Sequence, residues 1–192
     1  MAMLLSFNYL LLFFTITYAG YSDQCSHGNS GNCRPLWTQF QNHCYRFIGE
    51  AKTWEDAEFF CRQFATTQQC GHLVSIHNEE ENNFAYELWH SSVISGVDLI
   101  PGLEDKVNRA TSLWIGLNDR ETEGSMSWSD KTDTDFNAWR KGEPSNSDWD
   151  DTEPNGEDCG SMWKHYSNDY KDKWNDAPCG RLLPFICEMP IE

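Results

Sequence analysis

Eight cysteines in a chain of 192 residues constrain the fold more than any other feature. So many thiols in a short chain point to an oxidising compartment, where they pair into a framework that staples a modest core. Sulfur chelation of a metal fits poorly, because the chain has no Cys-x-x-Cys pair and no His-Glu-x-x-His stretch, the usual zinc spacings. Eight cysteines alone allow on the order of 100 pairings, so counting does not fix the connectivity.

The start of the chain agrees with export. Met1 to Gly20 hold no charged side chain, and the apolar run Leu10 to Phe14 is followed by Thr17-Tyr18-Ala19, small at the outer positions. That is the pattern of a cleaved signal peptide, and it predicts a secreted, extracellular protein. The stretch is broken by Ser6 and Asn8 and falls short of the roughly 20 apolar residues a membrane span requires. Tyr21 to Asn32 is small and polar, as expected of a flexible arm, and the remaining length suits one domain over residues 33–189.

Charge narrows the range of partners. The formal net charge is −16, and the window from Asp119 to Asp158 holds 13 acidic against 4 basic residues. Nucleic acid and anionic lipid both demand basic surfaces, so neither is an expected partner. Hard cations are.

Secondary structure follows from spacing. Aromatic and polar residues alternate from Leu36 to Phe47 around Asn42-His43, which predicts a short hairpin. Thr53 is placed to cap a helix, with Asp56 in the capping-box position and Trp54, Ala57, Cys61, Phe64 and Ala65 recurring at helical intervals. A second helix is predicted from about Asn78, with Glu79, Glu80 and Glu81 at the positive end of its dipole. Strands are predicted over Gly71 to Ile76, Leu113 to Leu117, Met126 to Trp128, Lys173 to Asp176 and Phe185 to Cys187. Val93 to Ser112 reads as an extended connection, and Ser129 to about Tyr170 as one long loop rich in Gly, Pro, Asn, Asp and Trp. A loop of that length is usually functional or disordered.

Five stretches then appear in order among the cysteines: Trp114-Ile115-Gly116-Leu117, Trp139-Arg140-Lys141-Gly142-Glu143-Pro144, Glu157-Asp158-Cys159, Trp174-Asn175-Asp176 and Phe185-Ile186-Cys187. Taken together they resemble the long form of the C-type lectin domain family, of the kind found in secreted invertebrate lectins. The resemblance implies an α+β fold, with two helices flanking small antiparallel sheets and a long calcium-binding loop region. It also implies the disulfides Cys33–Cys44, Cys61–Cys187 and Cys159–Cys179. Cys25 and Cys70 are left over, either to pair with each other and pin the arm or to bridge to a second chain as a disulfide-linked homo-oligomer.

The resemblance further implies a Ca2+ site at Glu143, Ser145, Glu157, Asn175 and Asp176. An auxiliary site is implied at Asp119, Glu123, Asn146, Glu157 and Asp158. Calcium takes six to eight oxygens from carboxylates, amide carbonyls and water, which suits residues of this kind converging from several segments. In the family, neighbouring sugar hydroxyls complete the shell, so Glu143, Ser145, Glu157 and Asn175 are also the expected carbohydrate contacts, with Trp149 as a candidate stacking surface. Pro144 is expected to follow a cis bond.

The chain departs from the family pattern at two places. Ser145 stands where mannose-type members carry Asn, and serine lacks both the amide carbonyl and the NH2 donor. A Glu153-Pro154-Asn155 triplet also occurs ten residues later, but Trp139 and Gly142 favour the first register. Trp139, Trp163 and Trp174 are expected to pack against the core.

Three classes of function compete. Calcium-dependent recognition of a glycan leads. A lectin-like scaffold that binds a protein or calcium carbonate mineral is the alternative, motivated by Ser145 and the acidic insert Asp148 to Glu153. A hydrolase fits least: no histidine lies in a nucleophile motif, and metal ligation would hold both Glu143 and Glu157 ionised, removing the acid that glycoside cleavage needs.

Overall fold

The computed structural model of the protein describes residues 33–64, 71–96, 112–147, 156–164 and 171–191, without the side chains of residues 93–96. The leader, the arm, Cys25, Cys70, Trp149 and the second Glu-Pro-Asn register lie outside the described residues.

The predicted hairpin is strands β1 (Thr38–Phe40) and β2 (His43–Lys52), which pair antiparallel and are clamped by Cys33–Cys44. Helix α1 (Trp54–Arg62) starts where the sequence predicts, with Thr53 in extended conformation and its Oγ1 accepting from the Asp56 amide at 3.2 Å. A hydroxyl at this position satisfies one of the orphan donors of the first turn. Trp54, Ala57 and Cys61 turn inward. Cys61 reaches Cys187, closing a separation of 126 residues, which contributes roughly 4 to 5 kcal/mol on the chain-entropy view of disulfides.

After β3 (His72–Leu73) comes helix α2 (Glu79–Gly96), followed by β4 (Ser112–Asn118) and β5 (Ser127–Trp128). The chain then forms β6 (Cys159–Trp163), β7 (Trp174–Ala177) and β8 (Leu183–Pro190). The strands form one sheet in the order β1-β2-β8-β4-β6-β7, with β3 on β8 and β5 on β4. All pairings are antiparallel except β4 with β8, which run parallel at Trp114 and Phe185. The small antiparallel sheets expected from the sequence are therefore parts of one mixed sheet.

Strands β2 and β8 run longer than the sequence reading, to Lys52 and over Leu183–Pro190, and three further elements differ from it. Helix α2 continues past Val93 to Gly96, the strand predicted over Gly71 to Ile76 forms ladder pairs only at His72 and Leu73, and β6 lies inside the stretch read as loop. Strand β6 owes its form to its neighbours. It is held between β4 and β7 and by Cys159–Cys179. Gly160 lets it approach closely, since a Cβ there would lie 2.9 Å from the Leu117 Cβ.

Trp89, Trp114, Trp128 and Trp174 are all fully buried. Trp174 ties helix α2 to the loop region. Its indole donates to Asn82 Oδ1 at 2.8 Å, and the rings of Trp128, Phe136 and Trp139 meet it edge-on. Trp139 is partly buried against the same cluster, as expected. Trp163 is also only partly buried, and its outer face carries the guanidinium of Arg140 at 4.8 Å.

Candidate metal and ligand site

Four segments converge around the buried strand β7. The segment following Trp139 is fixed to β7 by backbone bonds from Trp174 N to Ala138 O and from Arg140 N to Trp174 O, both 2.9 Å. It then turns through Gly142, at φ +97°, into a cis Glu143–Pro144 bond, the isomer expected from the sequence. Strand β7 contributes Asn175 and Asp176, 8% and 0% exposed. Gly156 to Asp158 enter β6, and Asp119 to Gly124 form the turn after β4.

Asn146 joins these segments. Its backbone N–H donates to Asp176 Oδ2 at 2.6 Å, its Nδ2 to Glu123 Oε1 at 2.7 Å, and its Oδ1 accepts from Glu157 N at 2.9 Å. The residue sits at φ 43°, in the left-handed region that asparagine tolerates better than most side chains. Gly156 makes room for it: a Cβ there would fall 2.0 Å from Asn146 Oδ1. Ser147 N and Ser145 Oγ both donate to Glu157 Oε2, at 3.2 and 3.3 Å. The auxiliary residues are laced in by Gly124 N to Asp119 Oδ2 at 2.8 Å and Asp119 N to Asp158 O at 3.1 Å.

The eight amide and acidic positions named from the sequence, together with Ser145, thus lie on these four converging segments. Ser145 directs its hydroxyl to Glu157, and the Asn175 amide donates to the Asp176 carbonyl. The contribution of Arg140 was not legible beforehand, although it stands inside the Trp139 to Pro144 stretch. Its Nη2 lies 2.6 Å from Glu143 Oε1.

The electrostatics are those of acids short of counter-charge. Glu143 Oε2, Asp176 Oδ1 and Asp119 Oδ1 are each buried without a hydrogen-bond partner. An orphaned carboxylate oxygen is costly in a protein interior. Desolvation raises the pKa of Asp176 against the backbone N–H groups it accepts from, and the facing Glu143 carboxyl adds to the rise. Desolvation and then Asp176 raise Glu157, and desolvation followed by Asp119 and Asp158 raises Glu123. Among the described residues no group of three or more His, Cys, Asp or Glu side chains meets the geometry of a metal site. The donor set also includes amide and hydroxyl oxygens, from Asn146, Asn175 and Ser145. Hard oxygen donors of this number and charge fit calcium far better than a transition metal.

The family model described as "Lectin C-type domain" matches residues 50–189. The chain belongs to the C-type lectin domain family. Among curated C-type lectins, the alpha-N-acetylgalactosamine-specific lectin of Patiria pectinifera is 33% identical over 178 residues, covering 91% of this chain and 92% of the relative. Echinoidin of Heliocidaris crassispina is 34% identical over 167 residues, covering 84% and 99%. Among solved structures, the C-type lectin CEL-I from Cucumaria echinata superposes with a TM-score of 0.65 at 27% identity, covering 84% of this chain and 99% of that one. The C-type lectin fold, two helices on a mixed sheet, and the three bonds Cys33–Cys44, Cys61–Cys187 and Cys159–Cys179 are as the sequence led one to expect.

Proposed function

We propose that the protein is a secreted, non-enzymatic lectin that recognises glycans through calcium held by the loop region. The observation that carries this reading is a pair of buried carboxylate oxygens without donors, Glu143 Oε2 and Asp176 Oδ1, on the segments that carry Asn175 and the cis Glu143–Pro144 turn. Glu143, Glu157, Asn175 and Asp176 would hold the ion, with Ser145 at the rim. Asp119, Glu123, Asn146, Glu157 and Asp158 would form a second, auxiliary set. When bound, calcium supplies coordination positions that a pair of neighbouring sugar hydroxyls can complete.

The chain's own residues orient that ligand. Carboxylate oxygens accept hydroxyl protons and the Asn175 amide can donate to a hydroxyl lone pair. Ser145 cannot reproduce the amide of an asparagine, and its hydroxyl is engaged by Glu157. The family likeness to a lectin specific for alpha-N-acetylgalactosamine supports a sugar as the ligand. Among the described residues no helix is long and apolar enough to cross a membrane.

Passing the secreted protein over immobilised monosaccharides tests the reading. Retention in calcium and release by a chelator are expected. Binding that ignores the chelator, or adsorption to calcium carbonate with a blank glycan panel, would overturn it.

A further inference from the structure

Arg140 lies against a carboxylate that the proposed calcium site needs. Its guanidinium approaches Glu143 Oε1 to 2.6 Å, and the Glu143 side chain is only 5% exposed. Three features fix Arg140 in this position. Its N–H is bonded to Trp174 O, its carbonyl accepts from Glu143 N at 3.0 Å, and its guanidinium lies over the Trp163 ring. The other carboxylate oxygen, Oε2, is buried without a partner.

We infer that Arg140 is an intramolecular counter-ion which restricts Glu143 to one coordinating oxygen and weakens the calcium site. This rests on the calcium reading above and concerns the strength of that site. Glu143, Glu157 and Asp176 bring three formal negative charges, and the Arg140 guanidinium cancels one of them. Calcium affinity in oxygen-donor sites follows ligand charge and rigidity, falling toward the millimolar range of extracellular modules as charge is removed. A fixed positive charge this close also repels an incoming divalent ion directly, more strongly in a partly desolvated site than in water. Arg140 therefore stabilises the ion-free loop at the expense of the loaded one, so the site loads and unloads near the calcium levels outside cells.

Isothermal titration with calcium chloride alone, without any glycan, separates this role from a merely structural one. Arg140→Gln is expected to bind calcium about fivefold to tenfold more tightly than the wild type. Arg140→Lys keeps the charge but loses the planar stack on Trp163, and is expected to tighten binding clearly less than Arg140→Gln. In chelator the order reverses, with Arg140→Gln melting below the wild type. If Arg140→Gln does not fold, Arg140→Leu, which keeps an apolar cover on Trp163, carries the same expectation. Unchanged or weaker calcium binding by the neutral variants would overturn the inference while leaving the calcium reading intact. No heat of binding from the wild type or any variant would overturn the calcium reading itself.

Discussion

Two groups of buried acids in this molecule differ in how they are paired. In the lower core, Glu58 accepts from Leu73 N at 2.9 Å and Ser129 Oγ at 3.0 Å, with His72 Nδ1 at 2.7 Å. Glu188 accepts from Ser75 N at 2.9 Å and Tyr45 Oη at 3.2 Å. Each is a closed network that ties strands to loops far away in sequence. In the loop region, Glu143, Asp176 and Asp119 each keep one buried oxygen without a donor. Burial alone therefore does not set the loop acids apart from Glu58 and Glu188; the missing donors do.

The largest expected effect sets one group directly against the other. Asp176→Asn keeps an oxygen for Asn146 N but removes the charge, and should lower calcium affinity at least about 100-fold. In chelator the same change should raise the melting temperature. Glu58→Ala should do the opposite, costing about 2 to 4 kcal/mol of stability because three partners lose their acceptor. Its calcium affinity by titration should stay within about twofold of the wild type. Equal behaviour of the two variants would erase the distinction.

A smaller effect concerns pH. Burial, against the Ser75 amide, pushes Glu188 up to about 8, so between the unfolded value and that pH the folded chain holds a proton that the unfolded chain has released. Stability is then lost as pH rises through this window. Asp176 and Glu157, raised as well, add to the slope in the same sense. Melting in chelator from pH 5 to pH 8 should show a falling midpoint, and Glu188→Gln should remove most of that fall. With calcium present the loop acids must lose their protons, and acidification should instead destabilise. A chelated protein whose midpoint climbs across the same range would contradict the assignment.

The smallest effect is expected at Asn146. Asn146→Asp exchanges the bond to Glu123 for a like-charge contact, so melting in chelator should fall slightly. The added ligand charge should tighten the auxiliary calcium by about threefold in a two-site titration. A single site in both proteins would mean that Asp119, Glu123 and Asp158 form only an acidic turn.

The cap at Thr53, the hairpin and the Phe185 to Cys187 strand were legible because each carries a local signal of capping, alternation or a continuous apolar run. Strand β6 was not, because Cys-Gly-Ser-Met-Trp shows no alternation and takes its form from partners distant in sequence, with Ser161 opposite Trp114 and Cys159 opposite Asn118. The loop acids were read from ordered motifs, which fixed their identity but not their pairing. Burial of Glu58 and Glu188 was hidden for a related reason: their donors Ser129 and Tyr45 lie 71 and 143 residues away. Arg140 was visible only as part of a motif, since nothing in the sequence places its guanidinium on Glu143.

The fit of Asn146 against Gly156 separates what can vary from what cannot. The frame of the loop depends on a position where even a methyl group has no room beside Asn146, whereas Ser145 is exposed and its hydroxyl makes a long contact to Glu157. A change at 145 therefore leaves the scaffold beneath it assembled, whereas a side chain at 156 must displace Asn146 from a strained backbone position.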